Sequence, residues 1–186
     1  EVLAQLALKP GDLAVDATLG GGGYTEGMLK AVGPTGKVLS IDLDQEAIEH
    51  TRSLFGAEVN SGQLTLAHGN FRDIDQATER HGFNVVSGIC ADIGLSSYQL
   101  EAPGRGMSFQ KRELLDMRFD ATGDAPDARF LLRQSSEQDL ASIFSRYGEE
   151  PFSGRIAREI VRVRMDDPIR YTDDLAALIK SALPGS

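Results

Sequence analysis

Several features are scarce or missing in this sequence, and each shortage excludes a class of protein. The chain has one cysteine, Cys90, so no disulfide can form within it. No apolar run approaches the roughly 18 residues needed to cross a bilayer. No basic segment followed by an apolar one opens the chain, as it would in a secretory signal. These shortages predict a cytoplasmic protein with no membrane partner.

Basic residues are also scarce, but only in the first part of the chain. Residues 1–100 contain 6 basic and 13 acidic side chains, whereas residues 101–186 contain 13 and 15. The formal net charge of −9 argues against a general nucleic-acid coat protein. Residues 153–165 carry four arginines against one glutamate. A phosphate-contacting surface is therefore expected in the second part of the chain.

Helix-like and strand-like segments alternate through the first hundred residues. Such alternation is typical of an α/β fold with a parallel, doubly wound sheet, because each crossover between parallel strands passes through a helix. The last strand segment is apolar on both faces, as a central strand should be. The pattern predicts strands at residues 13–17, 37–41, 64–67 and 85–91, and helices at residues 2–8, 24–31, 45–55 and 75–80.

The pattern changes after Leu100, where no convincing strand follows. Residues 101–126 are rich in glycine and proline and read as loops. Three amphipathic helices are expected after them. We expect Ser136 and Gly148 to cap the first, residues 153–165 to form the second, and Thr172 to cap the third. The sequence thus predicts a partial Rossmann-like core at 1–100 and a helical insert at 101–186, with the remaining core strands beyond its end.

Four consecutive glycines, at positions 20–23, directly follow the first predicted strand. Glycine allows a ligand to approach the backbone closely, and the following helix presents N–H groups to the same ligand. The dinucleotide spacing G-x-G-x-x-G is absent, because Thr25 and Glu26 occupy the third glycine positions. No Gly-Lys-Ser/Thr follows, which excludes a P-loop. A nucleoside without a pyrophosphate, such as S-adenosylmethionine, suits this loop better.

An aspartate ends the second predicted strand. Asp42 lies 19 residues after Gly23, where a carboxylate can accept hydrogen bonds from both ribose hydroxyls. An alternative is that Asp42 only caps the helix beginning near Gln45. Asp42 and Asp44 could also hold a metal, although capping explains Asp44 well. No metal site is predicted.

Polar and aromatic groups follow the third and fourth predicted strands. Phe71 could stack on an adenine, or be an ordinary core residue. Asp92 ends the fourth strand, at the edge where parallel sheets bind ligands. Its alternative role is to cap a turn. Ser96, Ser97 and Gln99 follow with hydrogen-bonding groups.

These groups are suited to methyl transfer onto an exocyclic amine. The lone pair of such an amine is delocalised into the base, and an acceptor on its protons localises that pair for in-line attack. Asp92 is the predicted acceptor. Carbon methylation of cytosine would instead need a cysteine nucleophile, but Cys90 lies within the apolar strand and is expected to pack in the core. His50, His68 and His81 share no motif and are expected to be structural or on the surface.

The chain resembles the bacterial ribosomal RNA small-subunit methyltransferase H family, which methylates N4 of a cytosine in 16S ribosomal RNA. The resemblance implies S-adenosylmethionine as cofactor and ribosomal RNA or the small ribosomal subunit as partner; it sets no oligomeric state. Tyr24 stands where the family usually has histidine, and the family's later segments are missing. The matching segments are DATLG at 16–20, GGYT at 22–25, IDLD at 41–44, HGNF at 68–71, DIGLSSYQL at 92–100, RGMSF at 105–109, LDMR at 115–118, YGEE at 147–150 and RIAREI at 155–160.

The resemblance also implies roles for single residues. Asp92 would be catalytic, and the insert from about residue 101 would help to bind RNA. Candidate substrate contacts are Ser96, Ser97, Arg105, Phe109, Arg118, Arg155 and Arg158, although the loop residues among them could instead dock the segment and the helical arginines could be a solvated face. Implied cofactor contacts are Gly22, Gly23, Tyr24, Asp42, Phe71, Asp92 and Gln99.

Two other functions remain as alternatives. One is a methyltransferase of the same fold that acts on DNA or a small molecule. DNA amino-methyltransferases carry Pro-Pro-Tyr after the strand-four acid, where this chain has Gly94-Leu-Ser96, so that option is weaker. The other is a non-catalytic module that binds a nucleotide or RNA.

Overall fold

The protein divides into two compact units, Glu1–Tyr98 and Gln99–Ser186. The computed structural model describes residues 2–184, except the side chains of Ser97 and Tyr98. The boundary lies two residues before the one expected from the sequence. The roles expected for the two parts stay predictions.

The first unit contains a four-stranded parallel sheet, which confirms the predicted α/β fold class. Its strands are β1 (Leu13–Asp16), β2 (Lys37–Asp42), β3 (Leu64–His68) and β4 (Gly88–Cys90). They lie in the order β3-β2-β1-β4. All pairings are parallel, so the carboxyl ends of the four strands meet at one edge.

Helices cover both faces of this sheet. Alternate strand residues point to opposite faces. Ala14 and Val38 therefore pack with Met28 of α2 (Gly23–Val32) on one face, while Val15 and Leu39 pack near α5 (Ile74–Arg80) on the other. None of the helices within residues 2–184 is long and apolar enough to cross a membrane. The helices of this part of the chain are α1 (Val2–Leu6), α2 (Gly23–Val32), α3 (Gln45–Leu54), α4 (Gly56–Ser61), α5 (Ile74–Arg80) and α6 (Ser97–Glu101), with a 3₁₀ turn at Phe71–Asp73.

Strand β4 is shorter than predicted and lies at an edge of the described sheet. The apolar run at 85–91 predicted a central strand, but only Gly88–Cys90 is extended and paired. Within the described residues β4 pairs only with β1, so Val85 and Ile89 remain 81% and 48% exposed. The predicted bounds of this strand were wrong, and its central position in a larger sheet stays a prediction.

The second unit is helical, as predicted. Its helices α7 (Ala128–Gln134), α8 (Glu137–Gly148), α9 (Ser153–Val163) and α10 (Thr172–Ala182) surround a core formed by Leu115, Leu132, Leu140, Ile156 and Ile160. Helix α7 was not predicted. An isolated antiparallel bridge joins Leu114 to Tyr171.

Helix ends in this unit confirm one predicted cap and correct two. Ser136 caps α8, since its hydroxyl accepts a hydrogen bond from the Asp139 N–H at 3.1 Å. Thr172 is not a cap. It is the first residue of α10, and its hydroxyl donates to the Lys111 carbonyl and accepts from the Glu113 N–H. Gly148 belongs to α8, and Glu149 follows it with a φ of 51°.

The end of α8 gives a prediction about stability. Gly148 lies within the helix, and a Cβ there would have no neighbour within 4 Å. Gly148→Ala should therefore raise the free energy of unfolding by about 0.5–1 kcal/mol, measured by urea denaturation, because alanine loses less backbone entropy in a helix.

Gly62 is the matched control for this substitution. It too ends a helix and has open space around a built Cβ, but its φ is 77°. Gly62→Ala should lower stability by about 1 kcal/mol, the cost of left-handed backbone for a residue with a Cβ. A loss of stability in Gly148→Ala would instead place the left-handed residue at position 148.

Candidate cofactor site

The carboxyl edge of the sheet brings together the groups that the sequence singled out in the first unit. The glycine loop follows β1, Asp42 ends β2, Phe71 follows β3 and Asp92 follows β4. Neighbouring strands lie about 4.8 Å apart, so four adjacent strand ends span roughly 14 Å. In the order β3-β2-β1-β4, these groups form a row along which an elongated ligand could lie.

Asp42 fixes two backbone segments at this edge. Its Oδ2 accepts a hydrogen bond from the Gly20 N–H at 2.7 Å, and its Oδ1 accepts one from the Asp44 N–H at 2.9 Å. The carboxylate is half-buried. Each carboxylate oxygen has a second acceptor site, so Asp42 keeps the capacity to accept two ribose hydroxyls.

Asp44, and not Asp42, caps helix α3. Asp44 is the residue that caps α3, and its Oδ1 accepts from the Glu46 N–H at 3.0 Å. This confirms the capping role expected for Asp44 and leaves the side chain of Asp42 directed at the glycine loop.

The glycine loop is a tight turn whose backbone is packed on one side and exposed on the other. Gly22 has a φ of 81°, and a Cβ at this position would lie 3.2 Å from Cε2 of Phe55. A side chain at 22 would therefore be strained by both backbone and packing. At Gly21 and Gly23, by contrast, a Cβ would meet no atom within 4 Å, and both residues are exposed. The loop thus rests on α3 and presents open backbone.

A buried polar network, which was not expected from the sequence, lies beneath this loop. Thr25 donates a hydrogen bond from Oγ1 to Oδ2 of Asp16 at 2.7 Å, and its hydroxyl lies 2.7 Å from that of Ser40. Because the single Thr25 proton is directed at Asp16, Ser40 must be the donor in the second contact. All three residues have no exposed surface. The network joins β1, β2 and α2 under the glycine turn.

Burial changes the acidity of Asp16. Desolvation raises the pKa of its carboxyl above the ordinary value of 3.8, and the hydrogen bonds from Thr25 and the Thr18 N–H only partly offset that rise. A signal for this network was present in the sequence: three polar residues occupy positions where the apolar pattern of strands and helix predicts core. We interpret Asp16 as a residue that positions the loop.

Phe71 and Tyr24 have different surroundings. Phe71 begins the 3₁₀ turn after β3 and is 43% exposed, so its ring is accessible for stacking. Tyr24 is half-buried and packs against the apolar cluster around Met28. The cofactor contact expected at Tyr24 stays a prediction.

Asp92 and Ser96 lie near the glycine loop. The Asp92 N–H donates to Oγ1 of Thr18 at 2.7 Å, and the Asp92 carboxylate is exposed. A Cβ built on Gly20 would lie 3.7 Å from Cβ of Ser96. The side chain of Ser97 lies outside the described residues. Gln99 is buried and belongs to the second unit.

Cys90 lies in the core and the three histidines lie on the surface, as expected from the sequence. Cys90 is 6% exposed in the cluster with Ala14, and burial raises the pKa of its thiol, so the nucleophilic thiolate is disfavoured. His50, His68 and His81 are exposed, and His68 Nε2 lies 2.9 Å from the Leu43 carbonyl. Among the described residues, no group of three or more His, Cys, Asp or Glu side chains could hold a metal ion.

Two candidate substrate arginines of the second unit are occupied by contacts within their own loop. Arg105 is 6% exposed and donates from Nη1 to the Phe119 carbonyl at 3.1 Å. Arg118 forms a two-pronged salt bridge with Asp116, with both N–O distances at 2.8 Å. This geometry favours the alternative of a docked segment, and their substrate role stays a prediction.

The other candidate substrate residues are accessible. Phe109 is 76% exposed. Arg155 and Arg158 lie on the exposed face of α9, where Arg158 Nε contacts Oε1 of Glu137 at 3.3 Å. Contacts with RNA remain a prediction for all three.

The buried carboxyl gives a prediction about pH. A raised folded-state pKa means that the contribution of Asp16 to stability is fully present below pH 3.8 and is lost as the pH rises through the folded-state value. Asn cannot ionise. The stability of Asp16→Asn relative to wild type, measured by urea denaturation from about pH 4 to pH 8, should therefore increase with pH.

Asp116→Asn provides a control of opposite sign. The hydrogen bonds from Arg118 lower the pKa of Asp116, so its contribution is lost only as the pH falls below its ordinary range. Its difference from wild type should be constant above about pH 5. A difference for Asp16→Asn that is equally constant would show that Asp16 ionises normally in the folded protein.

Several known proteins have sequences similar to this chain. The chain is 46% identical over 95% of its length to the ribosomal RNA small subunit methyltransferase H of Thermomicrobium roseum, of which it covers 53%. It is 42% identical over its whole length to the protein of the same name from Syntrophotalea carbinolica, of which it covers 58%. The chain thus spans little more than half the length of these curated relatives. The model of the MraW methylase family matches residues 1–186, and the chain belongs to that family.

Proposed function

We propose that this chain is part of an S-adenosylmethionine-dependent methyltransferase that acts on N4 of a cytosine in small-subunit ribosomal RNA. The observation that supports this most directly is the Asp42 carboxylate, bound to the glycine loop and still able to accept two further hydrogen bonds. The family and the names of its relatives support the reaction and the RNA. Such a substrate implies a cytoplasmic location.

The residues at the sheet edge are compatible with this cofactor. The order of groups along the edge corresponds to the order of parts in the molecule. Phe71 offers a ring face for the adenine, Asp42 offers oxygens for the ribose, and the exposed backbone at Gly21 and Gly23 leaves room for the methionine portion. Asp92 follows the next strand end, where the methyl group would meet its acceptor.

The cofactor, when bound, supplies a methyl group made electrophilic by its sulfonium. The protein mainly has to align the acceptor nitrogen with that methyl. Asp92 would accept a hydrogen bond from the cytosine amine, which localises the nitrogen lone pair in the direction of attack. When the methyl group passes from sulfur to the amine, the nitrogen would become positive, and the negative carboxylate of Asp92 would stabilise that charge. The extra proton then leaves to Asp92 or to water.

The ribose role gives a prediction about affinity. Asp42→Asn should weaken S-adenosylmethionine binding to the chain at least about ten-fold in isothermal titration calorimetry, because hydrogen bonds to a charged acceptor contribute about 1.5–3 kcal/mol. Asp44→Asn is the matched control: it removes the same charge two residues away and keeps a good helix cap. Its affinity should stay within about two-fold of wild type, and equal affinities in both variants would remove Asp42 from the site.

The catalytic role gives a prediction about turnover. In a protein of the relatives' full length that contains these residues, Asp92→Asn should lower kcat at least about a hundred-fold, because a neutral amide can neither stabilise the positive nitrogen nor take its proton. The assay is transfer of labelled methyl from S-adenosylmethionine to small ribosomal subunits, with naked ribosomal RNA in parallel. Asp75→Asn, an exposed carboxylate on α5, is the control.

Two outcomes would contradict this assignment. Turnover at the wild-type rate in Asp92→Asn, with an unchanged melting temperature, would exclude Asp92 as the acceptor. Transfer to DNA or to free cytidine but not to either ribosomal substrate would favour a methyltransferase of the same family with another substrate.

A further inference from the structure

A groove in the second unit combines arginines with exposed rings. It lies between α7, the end of α9 and the segment that leads into α10, and its volume is about 510 Å³. We call it the arginine groove; it is lined among others by Leu114, Phe130, Arg133, Arg164, Arg170 and Tyr171. None of the substrate residues expected from the sequence lines it.

The groove concentrates positive charge in a unit that is acidic overall. Residues 101–186 hold 15 acidic and 13 basic side chains, yet the lining contains four arginines and one carboxylate, Asp127. The groove is therefore more positive than the unit to which it belongs. An anionic ligand is the natural complement of such a surface.

Two of the four arginines hold the walls of the groove in place. Arg129 donates from Nε to Oδ2 of Asp127 at 3.0 Å. Arg164 donates from Nη1 to the Leu132 carbonyl at 2.9 Å and to the Ser135 carbonyl at 2.6 Å. Those carbonyls are at the carboxyl end of α7, where a cation also stabilises the helix dipole. The groove is therefore built from fixed elements.

The other two arginines make no polar side-chain contact among the described residues of the unit. Arg133 and Arg170 are exposed, and among the described residues neither side chain has a hydrogen-bond or ion-pair partner. Both line the same cavity. Two uncommitted guanidinium groups on rigid walls are suited to contacts with phosphate oxygens.

Aromatic rings border these free arginines. Phe130 is 47% exposed and lies three residues before Arg133, on the same face of α7. Tyr171 is held by the guanidinium of Arg112, 4.0 Å from its ring centroid, and by the Asp174 carboxylate, which accepts from its N–H. A basic groove with rings on which bases can stack is the usual form of a site for single-stranded nucleic acid.

We propose that the arginine groove binds a single-stranded segment of RNA, with Arg133 and Arg170 on its phosphates and one base stacked on Phe130. The proposal rests on the proposed function for its choice of RNA. An acidic polypeptide is the other class of ligand that the charge would admit, but it would leave the exposed ring without a stacking partner.

The test uses the whole 186-residue chain and needs no cofactor. Affinity for a fluorescein-labelled, single-stranded RNA of about ten nucleotides is measured by anisotropy at several salt concentrations. The groove variant is Arg133→Ala with Arg170→Ala. The control is Arg146→Ala with Lys180→Ala, which removes the same charge from exposed positions on α8 and α10 outside the groove. Phe130→Ala tests stacking, and thermal melting checks that each variant is folded.

The proposal expects three results. The groove variant should bind RNA at least about ten-fold more weakly, with the slope of log affinity against log salt reduced by about two. The control should stay within about two-fold of wild type, since its charges lie outside the groove. Phe130→Ala should lose at least about five-fold in affinity with an unchanged salt slope.

Other results would overturn it. Equal losses in the groove variant and the control would mean that only net charge matters. Competition by polyglutamate as strong as that by unlabelled RNA, with no effect of Phe130→Ala, would identify an acidic polypeptide as the ligand. No binding by wild type at millimolar concentration would exclude the groove as an RNA site. Each of these can occur while S-adenosylmethionine still binds through Asp42, so failure of the groove is distinct from failure of the proposed function.

Discussion

The geometry of the candidate site depends on one carboxylate that binds two backbone segments. Asp42 accepts from the Gly20 N–H at 2.7 Å and from the Asp44 N–H at 2.9 Å. The first bond holds the glycine turn against the end of β2, and the second sets the start of α3, on which that turn rests through Gly22 and Phe55. The Leu19 N–H, which donates to the Ile41 carbonyl at 3.0 Å, adds a backbone bond between the same loop and β2.

A second carboxylate supports the same loop from below. Asp16 is completely buried and is joined through Thr25 to Ser40, whereas Asp42 is half-buried at the rim. The difference in burial separates their tasks. The buried acid, with its raised pKa, is confined to positioning, while the acid at the rim remains able to contact a ligand.

The period of apolar residues was enough to predict the parallel sheet and the helical second unit, because burial on one or both faces leaves a regular pattern. It could not set the limits of β4, since an apolar run looks the same at the centre and at the edge of a sheet. The glycine at position 148 predicted the cap of α8 there, whereas the residue with left-handed backbone is Glu149. Glycine permits the left-handed conformation but does not require it, so its position alone does not fix the helix end.

The positions of candidate site residues were predictable where a motif aligned them with strand ends, as for Asp42 and Asp92, whose roles stay predictions. It was not predictable where function depends on tertiary contacts. The Asp16 network joins residues up to 24 positions apart, and only the fold brings Oγ1 of Thr25 within 2.7 Å of both Oδ2 of Asp16 and Oγ of Ser40. Arg118, in contrast, looked available in the sequence but is bound to Asp116.

The most direct test is a crystal structure of the chain with S-adenosylmethionine bound. Both ribose hydroxyls should lie within hydrogen-bonding distance of the Asp42 carboxylate, while the bonds from Gly20 and Asp44 persist and the adenine contacts Phe71. A nucleoside bound elsewhere, or an Asp42 carboxylate turned towards solvent in the complex, would contradict the central claim.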